Sequence, residues 1–140
     1  MSVYLDASLL VPLFKDDRFS SRSEAFLSSN GWTLFVSDFA AAEFASAIAR
    51  HVRMRGLTDA EARAAFVGFD GWTARATQRI EINAADIFVA NTWLRRLDLP
   101  LRTADALNIA IAHRIDAALA TFDDKMVECA RMLGVSVAAS

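Results

Sequence analysis

Val3-Tyr4-Leu5-Asp6-Ala7-Ser8-Leu9-Leu10-Val11 opens the chain as a short apolar run that ends on an acid and then resumes. Val3 to Leu5 reads as a strand. Consecutive rather than alternating apolar residues predict that both of its faces are covered, as in a parallel strand between helical layers. Thr33 to Val36, Ala118 to Thr121 and a short Val135 to Val137 repeat the pattern, with Ile80 to Ile82 as a weaker strand. Longer helical patterns lie between them. Ser21-Arg22-Ser23-Glu24 and Thr58-Asp59-Ala60-Glu61 have the form of capping boxes, and Asn83 with Asp86 and Thr103 before Ala104-Asp105 mark two more N-termini. Ala62, Phe66, Phe69, Trp72 and Ala76 make one helical face that Gly68 and Gly71 weaken, which predicts a bend or break there. Ile87, Ala90, Leu94 and Leu97 mark a helix before Pro100, and Gly134 caps a last helix that starts near Asp123. Strands alternating with helices predict an α/β fold with a mostly parallel sheet of four or five strands.

The 140 residues suit one domain spanning 1–140, and 54% hydrophobic with 23% charged residues is a globular composition. A net charge of −2 neither advertises nor excludes a polyanion partner, since acids gathered in a pocket mask basic patches elsewhere. Cys129 is the only cysteine, so neither an internal disulfide nor a thiolate zinc site can form, which suits a reducing cytoplasm. No apolar run reaches the roughly 18 residues of a membrane span. Asp6 and Pro12 interrupt the first apolar run and no basic segment precedes it, which argues against a signal peptide.

Four acids interrupt apolar surroundings. Asp6 follows the first strand, Glu43 is the only charge from Phe39 to Ala49, Asp105 opens an apolar helix, and Asp123 closes Leu119-Ala120-Thr121-Phe122-Asp123. A carboxylate near a core is costly unless it is protonated, hydrogen-bonded or paired. Sites in open α/β sheets form at the carboxyl ends of strands, where Asp6 and Asp123 fall and which the helices of Glu43 and Asp105 would adjoin. Four converging carboxylates require protonation or a divalent cation. Oxygen-only ligands favour Mg²⁺, with Mn²⁺ as a substitute, and point to phosphodiester hydrolysis by a metal-activated water. Each acid also has a plain reading: Asp6 as a turn residue, Asp105 as a partner of the helix dipole, Asp123 as an N-cap. Glu43 resists one, because position 47 is Ala and offers no ion pair. Asp124 competes with Asp123 for the fourth place. Ser8, Thr103, Asn108 and Thr121 are candidates to support the acids, Asn108 by orienting Asp105 from the same helical face.

Tyr4-Leu5-Asp6-Ala7-Ser8, the isolated Glu43, Arg102-Thr103-Ala104-Asp105-Ala106-Leu107-Asn108, Leu119-Ala120-Thr121-Phe122-Asp123 and Ala130-Arg131-Met132-Leu133-Gly134-Val135 occur in an order and spacing that resembles the PIN-domain family. The likeness covers essentially the whole chain, and its length looks most like the VapC-type toxins of bacterial toxin–antitoxin pairs. The resemblance implies a three-layer α/β/α fold and a Mg²⁺-dependent endoribonuclease, usually a homodimer, inhibited by a cognate VapB-type antitoxin. It carries metal-binding and catalytic roles onto Asp6, Glu43, Asp105 and Asp123, with Ser8 and Thr121 as helpers.

Arg50, His51, Arg53 and Arg55 form the densest basic cluster, read as solvated cations at a helix C-terminus before a phosphate track. Arg102, beside the expected metal edge, is better placed for substrate phosphate. Phe66, Phe69 and Trp72 are read as core. Free-standing PIN nucleases that process RNA without an antitoxin, and a silent PIN-like interaction module, are the nearest alternatives. A phosphatase with an aspartate nucleophile would want a second acid where Ser8 stands, and a receiver-like module would want more lysine and an aspartate where Asn83 lies.

Overall fold

The computed structural model describes residues 1–28 and 31–139. In chain order they form β1 (Ser2–Leu5), α1 (Ala7–Phe14), α2 (Ser20–Ser28), β2 (Thr33–Ser37), α3 (Asp38–Arg53), α4 (Asp59–Ala76), β3 (Gln78–Ile80), α5 (Ala84–Leu94), α6 (Thr103–Arg114), β4 (Ala118–Ala120), α7 (Asp124–Met132) and β5 (Val137–Ala139). Every strand pairing is parallel, in the order β3-β2-β1-β4-β5. β1 alternates between two cores. Val3 and Leu5 enter one with Leu9, Leu10, Phe44 and Phe69, while Tyr4 enters the other with Ile109, Ile111, Met126 and Cys129. Helices α1 to α4 therefore cover one face and α5 to α7 the other, the expected three-layer α/β/α arrangement. The chain winds outward through β2 and β3, then returns to the far side of β1 for β4 and β5. That reversal between β1 and β4 opens a crevice at their carboxyl ends, the usual ligand position in such sheets.

Several boundaries differ from the sequence expectation for local physical reasons. β3 covers Gln78–Ile80 rather than 80–82, because an edge strand with one neighbour tolerates Gln78 and Arg79. β5 starts at Val137 because Val135 is used upstream. Its N–H donates to the Ala130 carbonyl at 2.9 Å and that of Gly134 to Arg131 at 3.1 Å, a Schellman cap with Gly134 at φ 77°. The capping box at Thr58 forms as read and the helix start read at Asn83 is itself a capping box, but α2 begins at Ser20, before the box expected at Ser21. Asp17 accepts from the Phe19 N–H and Ser20 accepts from the Asp17 N–H, while Ser23 is buried and donates to the Leu9 carbonyl. α4 runs unbroken through Gly68 and Gly71. A Cβ at Gly68 would stand 3.3 Å from the Phe14 ring, so glycine permits the close approach of α4 to α1. The Phe69 ring stacks on Phe44, and Phe66 and Trp72 pack against the same core.

α5 departs from its expected face: Ala90 is buried and Leu94 half-buried, but Ile87 is exposed, as is its neighbour Phe88, and Leu97 lies beyond the end of the helix and is exposed. Its first turn carries Asp86, which at 1% exposure is the most deeply buried acid among the described residues. Arg114, the last residue of α6, grips both oxygens of Asp86 at 2.7 and 3.0 Å and also donates to the Glu81 carbonyl at 2.7 Å. This pair joins the start of α5 to the end of α6. Removing one partner of a buried pair leaves a desolvated charge, so Arg114→Met is expected to cost about 3 kcal/mol in urea unfolding. Asp59→Ala, which breaks an exposed pair with Arg63, should leave the urea midpoint almost unchanged.

Candidate functional site

The crevice between β1 and β4 gathers the acids. Asp6 extends β1 by one more ladder bond, its N–H donating to the Ala120 carbonyl at 3.1 Å, and it remains buried. Its Oδ2 accepts from the hydroxyls of Ser8 at 2.7 Å and Thr121 at 2.6 Å. Those hydroxyls in turn accept the N–H groups of Phe122 at 2.9 Å and Asp123 at 3.1 Å. The turn after β4 is thereby stitched to the end of β1 through a single carboxylate oxygen.

Glu43 comes from the second turn of α3, beyond the Ser37 N-cap whose hydroxyl accepts the Ala40 N–H. Its Oε1 accepts from the Asn108 amide at 2.6 Å. The other end of Asn108 accepts from the buried Tyr4 hydroxyl, which also meets Ser37 Oγ at 2.6 Å. Asp105 lies in the first turn of α6 and its Oδ2 accepts the Arg102 N–H at 3.3 Å. Asp123 is the N-cap of α7, its Oδ1 accepting from Lys125 and Met126 at 3.0 and 3.2 Å.

A common pattern results. Each acid is fixed by one oxygen, while Asp6 Oδ1, Glu43 Oε2, Asp105 Oδ1 and Asp123 Oδ2 accept no hydrogen bond from the described residues. Among those residues no side-chain oxygen is both buried and unbonded, so these free oxygens meet solvent.

Their charges act on one another. Burial pushes the Glu43 carboxyl up to about 6; the Asn108 hydrogen bond opposes this, and the charges of Asp6 and Asp105 add to it. Burial also raises Asp105, against the Arg102 N–H bond and with help from Asp123 and Asp6. Burial pushes the Tyr4 hydroxyl far above its ordinary value, so it stays a neutral donor.

As placed, no three His, Cys, Asp or Glu side chains among the described residues stand close enough to form a metal cage. The acids are electrostatic neighbours rather than a closed coordination shell. A hard cation of the Mg²⁺ kind keeps several waters and uses one or two carboxylates directly, so it does not require such a cage. The donor set, four carboxylates with free oxygens and no thiolate or imidazole, has the matching chemistry.

Residues 3–132 match the family described as PIN domain. The chain belongs to the PIN-domain family. It is 29% identical over 141 residues to Ribonuclease VapC46 of Mycobacterium tuberculosis, an alignment covering 99% of this chain and 97% of that protein. Its fold is similar to that of Mycobacterium tuberculosis VapC20, described as a sarcin-ricin loop cleaving toxin, with a TM-score of 0.74 at 16% identity, covering 91% of this chain and 94% of that one. It is also similar to VapBC2 of Rickettsia felis bound to a DNA fragment from their promoter, with a TM-score of 0.71 at 16% identity, covering 99% and 98%.

Within this PIN domain the residues that stand out in the sequence divide in two. Asp6, Glu43, Asp105 and Asp123 share the crevice, and Ser8 and Thr121 hold Asp6 directly. Asn108 holds Glu43 and the Ala104 carbonyl, not Asp105 as expected. Thr103 is the exposed first residue of α6 and stands apart from the bonds that hold the acids. Asp123, rather than Asp124, is the charge felt by Asp105. Arg102 caps α6 beside Asp105 and is exposed, and Arg50 and Arg53 are exposed cations in the last turn of α3, while burial and then Lys15 hold the half-buried His51 below its ordinary ionisation range. Tyr4, whose hydroxyl holds the Asn108 that holds Glu43, is the residue beneath the acids that sequence reasoning misses. Only its place in an otherwise aliphatic strand signals a hydroxyl in need of partners.

The folded state holds the Glu43 proton more tightly than the unfolded chain does, so this group's contribution falls as pH rises from about 4.5 through about 6. Without added metal, urea stability is expected to drop by about 1 kcal/mol across that window, after discounting for a half-exposed side chain. Glu43→Gln should remove that component. An unchanged pH slope in the Glu43→Gln variant would show that Glu43 does not carry it.

Proposed function

We propose that residues 1–140 act as one metal-dependent endoribonuclease of the VapC type, the toxin of a pair with a VapB-type antitoxin. The observation that carries this reading is the set of four carboxylates at the β1/β4 crevice, each tethered by one oxygen and presenting the other to solvent. Among Asp6, Glu43, Asp105 and Asp123, one or two would hold Mg²⁺ directly and the others through its waters, with Mn²⁺ as a substitute. When bound, such a cation supplies an activated water and stabilises the leaving oxygen of an in-line displacement at phosphorus. Ser8 and Thr121 fix the Asp6 carboxylate so that only Oδ1 is offered. Asn108, itself fixed by Tyr4, sets Glu43 by its Oε1 and leaves Oε2 for the cation. Neither histidine is required.

The likeness to Ribonuclease VapC46 supports RNA as the substrate. The similarity to the Rickettsia felis VapBC2 complex supports an antitoxin partner. A second copy is the other expected partner. α5 is apolar around most of its circumference yet exposes Ile87 and Phe88, and a helix of that composition is ordinarily covered. No described helix is long and apolar enough to cross a membrane.

Asp6→Asn is expected to reduce Mg²⁺-dependent RNA cleavage by about 10²-fold or more with an unchanged circular dichroism spectrum. Undiminished cleavage by that variant would exclude the site. Calorimetric titration with Mn²⁺ should show binding in the parent protein, and no heat at all would favour the silent interaction module. Cleavage that is silenced by co-expressing the protein of a short upstream reading frame supports the toxin role; cleavage indifferent to it supports an RNA-processing nuclease. Phe88→Asp should convert a dimer to a monomer by light scattering, and a monomeric parent protein would exclude the pairing.

A further inference from the structure

Next to the acids, where α1 passes into α2, four side chains form a stack that the carboxylates do not use. Phe122 sits between Thr121, which donates to Asp6, and Asp123, whose charge acts on Asp105. Its ring stacks on Phe19 with centroids 5.3 Å apart and planes at 21°. The Arg22 guanidinium lies 4.5 Å over the Phe122 ring and that of Arg18 lies 4.7 Å over the Phe19 ring. Among the described residues these are the only guanidiniums lying over aromatic rings. Both arginines are exposed. Neither pairs with a carboxylate among the described residues, whereas Arg63, Arg79, Arg96 and Arg114 all do.

We propose that the Arg18-Phe19-Phe122-Arg22 stack is a platform that grips the backbone phosphates of single-stranded RNA beside the carboxylate cluster. This rests on the ribonuclease reading above. Four acids repel a polyanion, so a strand brought to them needs fixed cations close by. Arginine suits that role, since its weakly hydrated planar fork binds phosphate through its N–H edge while one face lies on a ring. Holding the guanidinium flat also removes side-chain freedom before the strand arrives, which lowers the entropic cost of binding. The face turned away from the ring remains available to a base. An acidic protein segment could meet two guanidiniums as well. RNA is favoured because Phe122 is the immediate chain neighbour of Thr121 and Asp123, so the stack borders the place where the strand would be cut.

The test uses full-length protein carrying Asp6→Asn, so that RNA is bound without being cut. A fluorescein-labelled single-stranded oligouridylate is titrated by anisotropy over a range of salt. Adding Arg18→Ala and Arg22→Ala together is expected to weaken binding roughly ten-fold at low salt. It should also make the slope of log affinity against log salt shallower by about 1.4, or about 0.7 for each single-strand phosphate that is no longer neutralised. Arg18→Lys with Arg22→Lys should restore the slope but only part of the affinity. Unchanged affinity and slope in the double alanine variant would overturn the platform, and a double lysine variant that binds as tightly as the arginine protein would overturn the part played by the rings. Loss of binding to polyglutamate with oligouridylate binding intact would overturn it in favour of a protein partner. Cleavage assays on protein with Asp6 intact separate the two readings. Undiminished RNA cutting after both arginines are replaced removes the platform alone. A parent protein that never cuts RNA, yet binds oligouridylate through these arginines, loses the nuclease reading and keeps the platform.

Discussion

The hydroxyl of Tyr4 is the constraint on which much of this structure depends. It lies at the centre of the sheet with no access to solvent, where an unbonded hydroxyl would cost about 1–3 kcal/mol. Its partners come from far along the chain, Ser37 at the end of β2 and Asn108 in α6. Ser37 also caps α3, and Asn108 also holds Glu43. One buried donor thus fixes the start of one helix, the rotation of another and the oxygen of an acid in the crevice. Its raised ionisation range keeps it a donor over any physiological pH.

A second tier of polar contacts serves the same end from the other side of β1. Ser8 and Thr121 each donate a hydrogen bond to Asp6 and accept one from the backbone of the turn after β4. Their donors and acceptors are used in one consistent direction, which leaves Asp6 Oδ1 as the free atom. The acids are costly to the fold, as the raised Glu43 and Asp105 carboxyls show, and the cost is concentrated where the winding of the sheet reverses. Asp86 is the contrasting case. It is more deeply buried than Asp6, but Arg114 and the Asn83 N–H occupy it fully, so it locks helices together and offers nothing to a ligand.

Much of this is legible in the chain itself. The apolar runs at β1, β2 and β4 mark strands because a sheet covered by helices demands them. β3 escapes that signal because its edge position relaxes the demand, and β5 is displaced because the cap of α7 consumes Val135 first. The acids are visible because a charge in an apolar run needs a reason. Spacing along the helix pairs Asn108 with the wrong acid. Its neighbour on the same helix is Asp105, whereas its bonded partner Glu43 lies 65 residues away.

The sequence by itself determined the alternation of strands and helices, the helix starts at Thr58 and Asn83, and which four acids interrupt apolar surroundings. These follow from short-range spacing, from capping chemistry and from the cost of charge among apolar residues. Tertiary structure alone decided which partner each polar group found. Asp86 with Arg114, Tyr4 with Asn108 and Phe19 with Phe122 are separated by long stretches of chain, and only the winding of the sheet brings them within reach. The same winding decided that one oxygen of each acid would be held and the other left free.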